Sequence, residues 1–150
     1  MTFISFKNSK NKQKLLNFLE EAEWAAGPYL AKLIKENEFY EKYGDQAQLF
    51  FYIEKNEPLA FGGLVEQDYL PKPELIPWIA LIYVKPKSRG QRLSEKMVTY
   101  LEKQAKDQGY NKAYLVSRHK GLYEKYGYRL QEELRDIKHD KDYFYVKSLM

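Results

Sequence analysis

The stretch VKPKSRGQRLSEKM, Val84 to Met97, gathers Lys85, Lys87, Arg89 and Arg92 around one glycine, Gly90. An apolar run precedes it and a segment with helical spacing follows, so the turn lies where a strand becomes a helix. Phosphate can be held at such a place largely by backbone. The first N–H groups of a helix have no internal partner, point outward and sit at the positive end of the helix dipole. Gly90 would let a ligand approach the main chain closely. The arginines would add bidentate contacts to phosphate oxygens. A solvated surface turn has the same composition, and charge alone does not separate the two readings.

Other chemistries lack their residues. There is no GxxxxGK[ST] and no GxGxxG, which excludes the P-loop and the dinucleotide fingerprint. The two histidines, His119 and His139, are not in an HExxH pattern, and cysteine is absent, so no metal site is expected. Ser117 and His119 share a strand end but supply no hydrolase triad.

The elements that must position the turn follow from hydrophobic period. Ser9 is placed to cap a first helix carrying Leu15, Leu16, Leu19 and Ala22. Gly27-Pro28 breaks it and opens a second, with Leu30, Leu33, Ile34 and Asn37 inward and Gly44 at its end. Gln48–Glu54 and Leu59–Glu66 read as a hairpin about Lys55-Asn56. Pro71, Pro73 and Pro77 make Leu70–Pro77 a loop. Trp78–Val84, WIALIYV, is apolar at every position and is expected at the centre of a sheet covered on both faces. Gln91–Asp107 repeats Leu93, Met97, Leu101 and Ala105 at intervals of four, with Gly109 as its stop. Lys112–Ser117 is a further strand and Gly121–Tyr126 a short helix closed by Gly127. Tyr128–Leu134 and Tyr143–Leu149 are the last strands, joined by a charged loop around Asp136–Asp142. The order is that of an α/β protein with a mixed sheet and helices on both faces.

The chain of 150 residues is 44% hydrophobic and 31% charged, which fits one soluble domain spanning 1–150. A formal charge of +4 favours anionic ligands only mildly, and without a basic stripe nucleic acid is not the expected partner. The opening residues lack the apolar run of a signal peptide, no segment reaches the length of a membrane span, and cysteine is absent; a cytoplasmic location is expected.

Two segments together resemble a known family. YVKPKSRGQRLSEKM is similar to motif A of the GNAT N-acetyltransferases, Gln/Arg-x-x-Gly-x-Gly/Ala after a strand ending in hydrophobic-x-Val. GLYEKYGYRL, Gly121–Leu130, is similar to motif B, Leu/Phe-Tyr-Glu-Lys-x-Gly-Phe. One helix and one strand separate them, as in the family, and the resemblance extends from Gln48 to Leu149. Arg92 stands where the family usually has Gly, and Ser94 where it has Gly or Ala. Ser117-Arg118-His119 stands where an Asn is common.

The resemblance implies a mostly antiparallel sheet of about six to seven strands, splayed at its centre between the strands ending at Val84 and Ser117, with acetyl-CoA in the gap as cosubstrate. Ile82, Tyr83 and Val84 would pair with the pantetheine, and Arg89, Gly90, Gln91, Arg92, Leu93 and Ser94 would hold the pyrophosphate. Tyr123 falls at the position of the general acid that protonates the departing sulfur. Tyr126 and Tyr128 read as packing residues. The central strand lacks the acidic residue that often serves as base, leaving Glu66, Glu74 and His119 as candidates. Trp24, Tyr29, Glu66 and Trp78 are expected near the acceptor. The implied activity is acetyl transfer to a primary amine, on a small molecule or a peptide. The alternative is a weakly catalytic coenzyme A sensor of the same fold. A homodimer is compatible with either.

Overall fold

QLFFYIE and EPLAFGGLV form the hairpin that seeds the sheet, β2 (Gln48–Glu54) and β3 (Glu57–Val65), in a computed structural model that describes residues 2–68, 72–135 and 141–150. Lys55 and Asn56 take φ of 53° and 66° between the Glu54–Glu57 pair, the left-handed turn that matches strand twist. Alternation along β2 then sends Phe50 and Tyr52 to one face and Leu49 and Phe51 to the other.

The remaining strands are β1 (Thr2–Ser5), β4 (Trp78–Val84), β5 (Lys112–Ser117), β6 (Arg129–Arg135) and β7 (Lys141–Ser148). Among the described residues they make one seven-stranded sheet in the order β1-β2-β3-β4-β5-β7-β6. Every neighbouring pair is antiparallel except β4–β5. This is the α/β, mostly antiparallel sheet expected, with β1 added at an edge where no strand was read. TFIS is too short for its period to declare itself, and it pairs through backbone with β2.

Helices cover both faces. α1 (Lys12–Glu21), α2 (Ala26–Lys35) and α3 (Phe39–Tyr43) bury Leu15, Leu19, Leu30, Leu33, Phe39 and Tyr43 against Phe51, Phe61, Trp78 and Tyr83. The opposite face is closed by α4 (Leu93–Asp107), whose Leu93, Met97, Val98, Leu101 and Ala105 pack on Phe50, Tyr52, Leu64 and Ile79. α4 lies so close that a Cβ on Gly62 would come within 2.8 Å of Met97 Cγ and 2.9 Å of Ile82 Cδ1.

Boundaries differ from expectation in places with local causes. α1 is capped by Asn11, whose side chain accepts from the Lys14 N–H at 3.3 Å; Ser9 lies further back and accepts from the Asn11 N–H. Gly27 and Pro28 sit inside the first turn of α2, where a missing N–H costs nothing. The second helix is two, because Asn37 at φ 60° turns the chain between α2 and α3. The connection expected at Asp136–Asp142 lies outside the described residues except for Lys141 and Asp142, as do Leu70 and Pro71 of the preceding loop and His139.

Candidate active site

β4 and β5 run parallel and pair only at Trp78 and Tyr114, near the start of both strands. Beyond that point they diverge toward their C-terminal ends. Apolar β4 is buried at Trp78, Ile79, Ala80 and Tyr83 but only half-buried at Leu81, Ile82 and Val84. The shortfall is the cleft. A bulge accompanies it: Gly63 faces Ala80 while Phe61 faces Tyr83, so Leu81 and Ile82 together oppose Gly62. Leu81 sits at φ 61°, a conformation rare for a bulky side chain. The bulge leaves one β4 residue without a ladder partner and re-aims the strand.

The cleft has two arms. The first, about 530 Å3, runs from Ile82, Tyr83 and Val84 past Arg89, Gly90, Arg92, Leu93 and Ser94, with Glu23, Trp24 and Tyr123 on its walls. The second, about 560 Å3, opens between Leu81 on β4 and Ser117 on β5, with Asp68 and the buried Asp142 in its lining. Trp24, Ile82, His119 and Tyr123 line both.

The turn after β4 is open and glycine-hinged. Pro86–Ser88 form a single 3-10 turn, Gly90 takes φ 84°, and Arg92 caps α4 in a left-handed conformation at φ 61° without a side-chain bond to the helix. Nothing lies within 4 Å of a Cβ built on Gly90. The space over the turn is open, and no side chain caps the helix end below it. The left-handed Arg92 also gives a reason for glycine at that place in the resembled motif: glycine enters this region without strain, and arginine does so at a cost of roughly 1–2 kcal/mol.

Tyr123 begins a 3-10 turn, Tyr123–Tyr126, closed by Gly127 at φ 95°. Its ring is wedged among Tyr126, Tyr128 and Tyr145, with centroids 5.7, 6.1 and 6.0 Å away. The turn is tied down by a buried network. Tyr128 donates to Glu102 at 2.7 Å, and Lys147 donates to Glu102 at 3.0 Å and to the Tyr126 carbonyl at 2.7 Å. Tyr128 therefore uses its hydroxyl to bind α4 to the motif. A second bond, Tyr145 to the His119 carbonyl at 3.0 Å, fixes the segment after β5.

Burial, with the neighbouring Tyr126, pushes the Tyr123 phenol up to about 12. Burial and Glu102 push Tyr128 up as well. Between pH 10 and 12 an unfolded chain gives up the Tyr123 proton while the folded chain keeps it. Its stabilising share is therefore complete below pH 10 and falls as pH rises toward 12. Urea midpoints at pH 9 and pH 11 should show a smaller loss in Tyr123→Phe than in the parent. An equal loss would mean that the phenol is not held in its protonated form.

Residues 15–128 match the sequence model of the acetyltransferase (GNAT) family. The chain belongs to that family. Among curated proteins there is no significant sequence match. Solved GNAT structures share the fold across the whole length. An aminoglycoside 6′-acetyltransferase of type Ii superposes with a TM-score of 0.75 at 18% identity, covering 100% of this chain and 98% of that one. An aminoglycoside 6′-N-acetyltransferase complexed with coenzyme A gives 0.73 at 18% identity over the same shares. A GNAT acetyltransferase from Elizabethkingia anophelis with acetyl-CoA bound gives 0.65 at 16% identity, covering 98% and 97%.

In this GNAT domain, Ile82, Tyr83, Val84, Arg89, Gly90, Arg92, Leu93, Ser94, Tyr123 and Trp24 come together on one cleft. Gln91 is exposed and does not line it. Three residues expected at the acceptor are placed elsewhere. Trp78 is fully buried against Tyr114 and Phe144, because it occupies the closed base of the fork. Tyr29 lies on α2 under the Lys42 ammonium. Glu66 accepts from the Gln46 N–H at 2.6 Å and braces the turn at Gly44. Glu74 is exposed on the loop before β4. Glu23, which the sequence did not single out, lines the same cleft beside Trp24, in the connection between α1 and α2. Among the described residues no group of three or more His, Asp or Glu is arranged to hold a metal ion, and no helix is long and apolar enough to cross a membrane.

Proposed function

We propose that the protein transfers an acetyl group from acetyl-CoA to a primary amine of a small acceptor, by direct attack within the β4–β5 cleft. The observation that carries this reading is the meeting of the open turn at Gly90, the bulged edge of β4 and the Tyr123 phenol on one cavity. The fit to the cosubstrate is good at both ends. The space over Gly90 and the uncapped start of α4 suit a pyrophosphate, with amides from Arg89 to Ser94 and the Arg89 and Arg92 guanidiniums as its partners. The half-buried edge at Ile82 and Val84 suits an extended amide-bearing arm added as a strand.

Bound acetyl-CoA supplies the acetyl group as a thioester. The chain supplies the rest. Backbone N–H at the β4 bulge stabilises a carbonyl oxygen that gains charge. Tyr123, protonated throughout the working pH range, holds its proton toward the departing sulfur. His119 lines both arms and is the wall residue suited to take a proton from the acceptor's ammonium. Trp24 supplies an apolar wall at the mouth. Glu23, Asp68 and Asp142 place carboxylates along the cleft, Asp142 facing Arg118 at 3.7 Å. An acceptor ammonium would meet these carboxylates in place of the arginines that now pair with Glu23 and Asp142, and the likeness to aminoglycoside acetyltransferases makes aminoglycosides the first compounds to offer.

Coenzyme A should raise the melting temperature, since a ligand selective for the folded chain stabilises it. Free thiol release from acetyl-CoA, followed across a panel of aminoglycosides, polyamines and peptides, should then identify the acceptor. No thermal shift with millimolar coenzyme A on folded protein would overturn the site.

A further inference from the structure

Antiparallel alternation decides where Val84 presents its backbone. The Lys85 N–H donates to the Leu59 carbonyl at 2.9 Å, on the β3 side. Val84 stands opposite Ala60 in the adjoining pair. Its own N–H and C=O therefore turn to the other edge, which faces the cleft. That carbonyl is engaged from within the molecule. Arg89 donates from Nε to Val84 O at 3.0 Å. Its Nη2 meets Glu23 Oε1 at 2.8 Å. The guanidinium lies 5.8 Å from the centre of the Tyr83 ring, and Trp24, next to Glu23, stacks on that ring at 6.2 Å and 11°. One side chain thus ties the open edge of β4 to the connection between α1 and α2.

We propose that Arg89 is a displaceable plug on the ligand edge of β4, latched by Glu23, so that Glu23 lowers the affinity for coenzyme A. The inference rests on the reading of the cleft as a coenzyme A site. A pantetheine arm added to β4 needs the Val84 carbonyl, and the guanidinium stands on it. A pyrophosphate offers that guanidinium a better partner than one carboxylate, with bidentate geometry and more charge. Arg89 then leaves the edge and becomes a phosphate contact. The same residue opposes one half of the ligand and attracts the other, and Glu23 biases it toward the closed position. By reciprocity, an acceptor ammonium that engages Glu23 would release Arg89 and favour the coenzyme.

The sign of two substitutions tests the proposal. Both side chains are more than half exposed, 53% for Arg89 and 58% for Glu23, so the ion pair is of the weak, screened kind and the effect is modest. By calorimetry, Glu23→Gln should bind coenzyme A about two- to five-fold more tightly than the parent. Arg89→Met should bind coenzyme A more weakly, because a phosphate contact is gone. It should bind pantetheine, which has no phosphate, more tightly, because the plug is gone. A structural role for the pair predicts weaker binding of both ligands in both variants. Pantetheine affinity unchanged or reduced in Arg89→Met overturns the plug, and coenzyme A affinity unchanged or reduced in Glu23→Gln overturns the latch. Should Arg89→Met fail to fold, Glu23→Gln decides alone. A parent protein that binds no coenzyme A overturns the cleft assignment itself, an outcome distinct from either.

Discussion

Tyr123→Phe is expected to lower kcat and kcat/KM together by about 100-fold or more while leaving coenzyme A affinity nearly unchanged. The ring is 8% exposed and held by three other tyrosines, so phenylalanine keeps the packing and removes one hydroxyl. On the proposed role, that hydroxyl would meet the sulfur mainly as the C–S bond breaks, so its loss would fall on the transition state and not on ligand binding. A phenol pushed up to about 12 does not ionise in the neutral range, so the parent's rate should show no basic limb from Tyr123 below pH 10. Tyr126→Phe is the control. Tyr126 is half-buried, and its carbonyl, not its hydroxyl, anchors Lys147. Wild-type turnover in Tyr123→Phe would remove the proposed acid. A large loss confined to Tyr126→Phe would move the role one turn along the same motif.

Gly90→Glu is expected to weaken coenzyme A binding by about 100-fold or more. Two unit charges about 4 Å apart interact by roughly 4 kcal/mol near a protein surface, and a coenzyme whose phosphates lie on this turn, as proposed, would meet that repulsion directly. The fold should tolerate the change. No atom stands within 4 Å of the new Cβ, and the remaining cost is that of a left-handed conformation at φ 84°, roughly 1–2 kcal/mol. Gly90→Gln carries the same bulk and the same conformational cost without the charge. A glutamate variant that binds coenzyme A as tightly as the glutamine variant would remove phosphate from this turn.

The parts of the site that were legible in sequence are those that depend on backbone. WIALIYV, the glycine turn and the four-residue repeat after it set β4, the open turn and α4 almost to the residue, because period and chain breakers act locally. The place of Tyr123 on the cleft wall was legible through its neighbours in GLYEKYGYRL. The acceptor side was not. Trp78 and Trp24 look alike in sequence, yet one fills the closed base of the fork and the other stands at its mouth, a distinction that depends on how β4 and β5 separate. Glu66 was expected at the cleft and lies outside it, whereas Glu23, not singled out in the sequence, lines it. Each carboxylate takes its role from a partner far along the chain, Gln46 for one and Arg89 for the other. β1 was missed because a four-residue edge strand is stabilised by its neighbour's free edge more than by its own pattern.

The sheet is joined across its middle by a single residue pair, Trp78 with Tyr114, with α4 packed behind it. That seam is the natural line for sub-global opening, and the ligand cleft lies along it. Whatever fills the cleft therefore bridges β4 and β5 where their backbone pairing stops, and its binding energy is added to the free energy of the folded state. Proteases act on opened chains, so the lifetime of this protein in a cell would follow how much of it is loaded with coenzyme. A shortage of acetyl donor would then reduce the amount of enzyme as well as its rate.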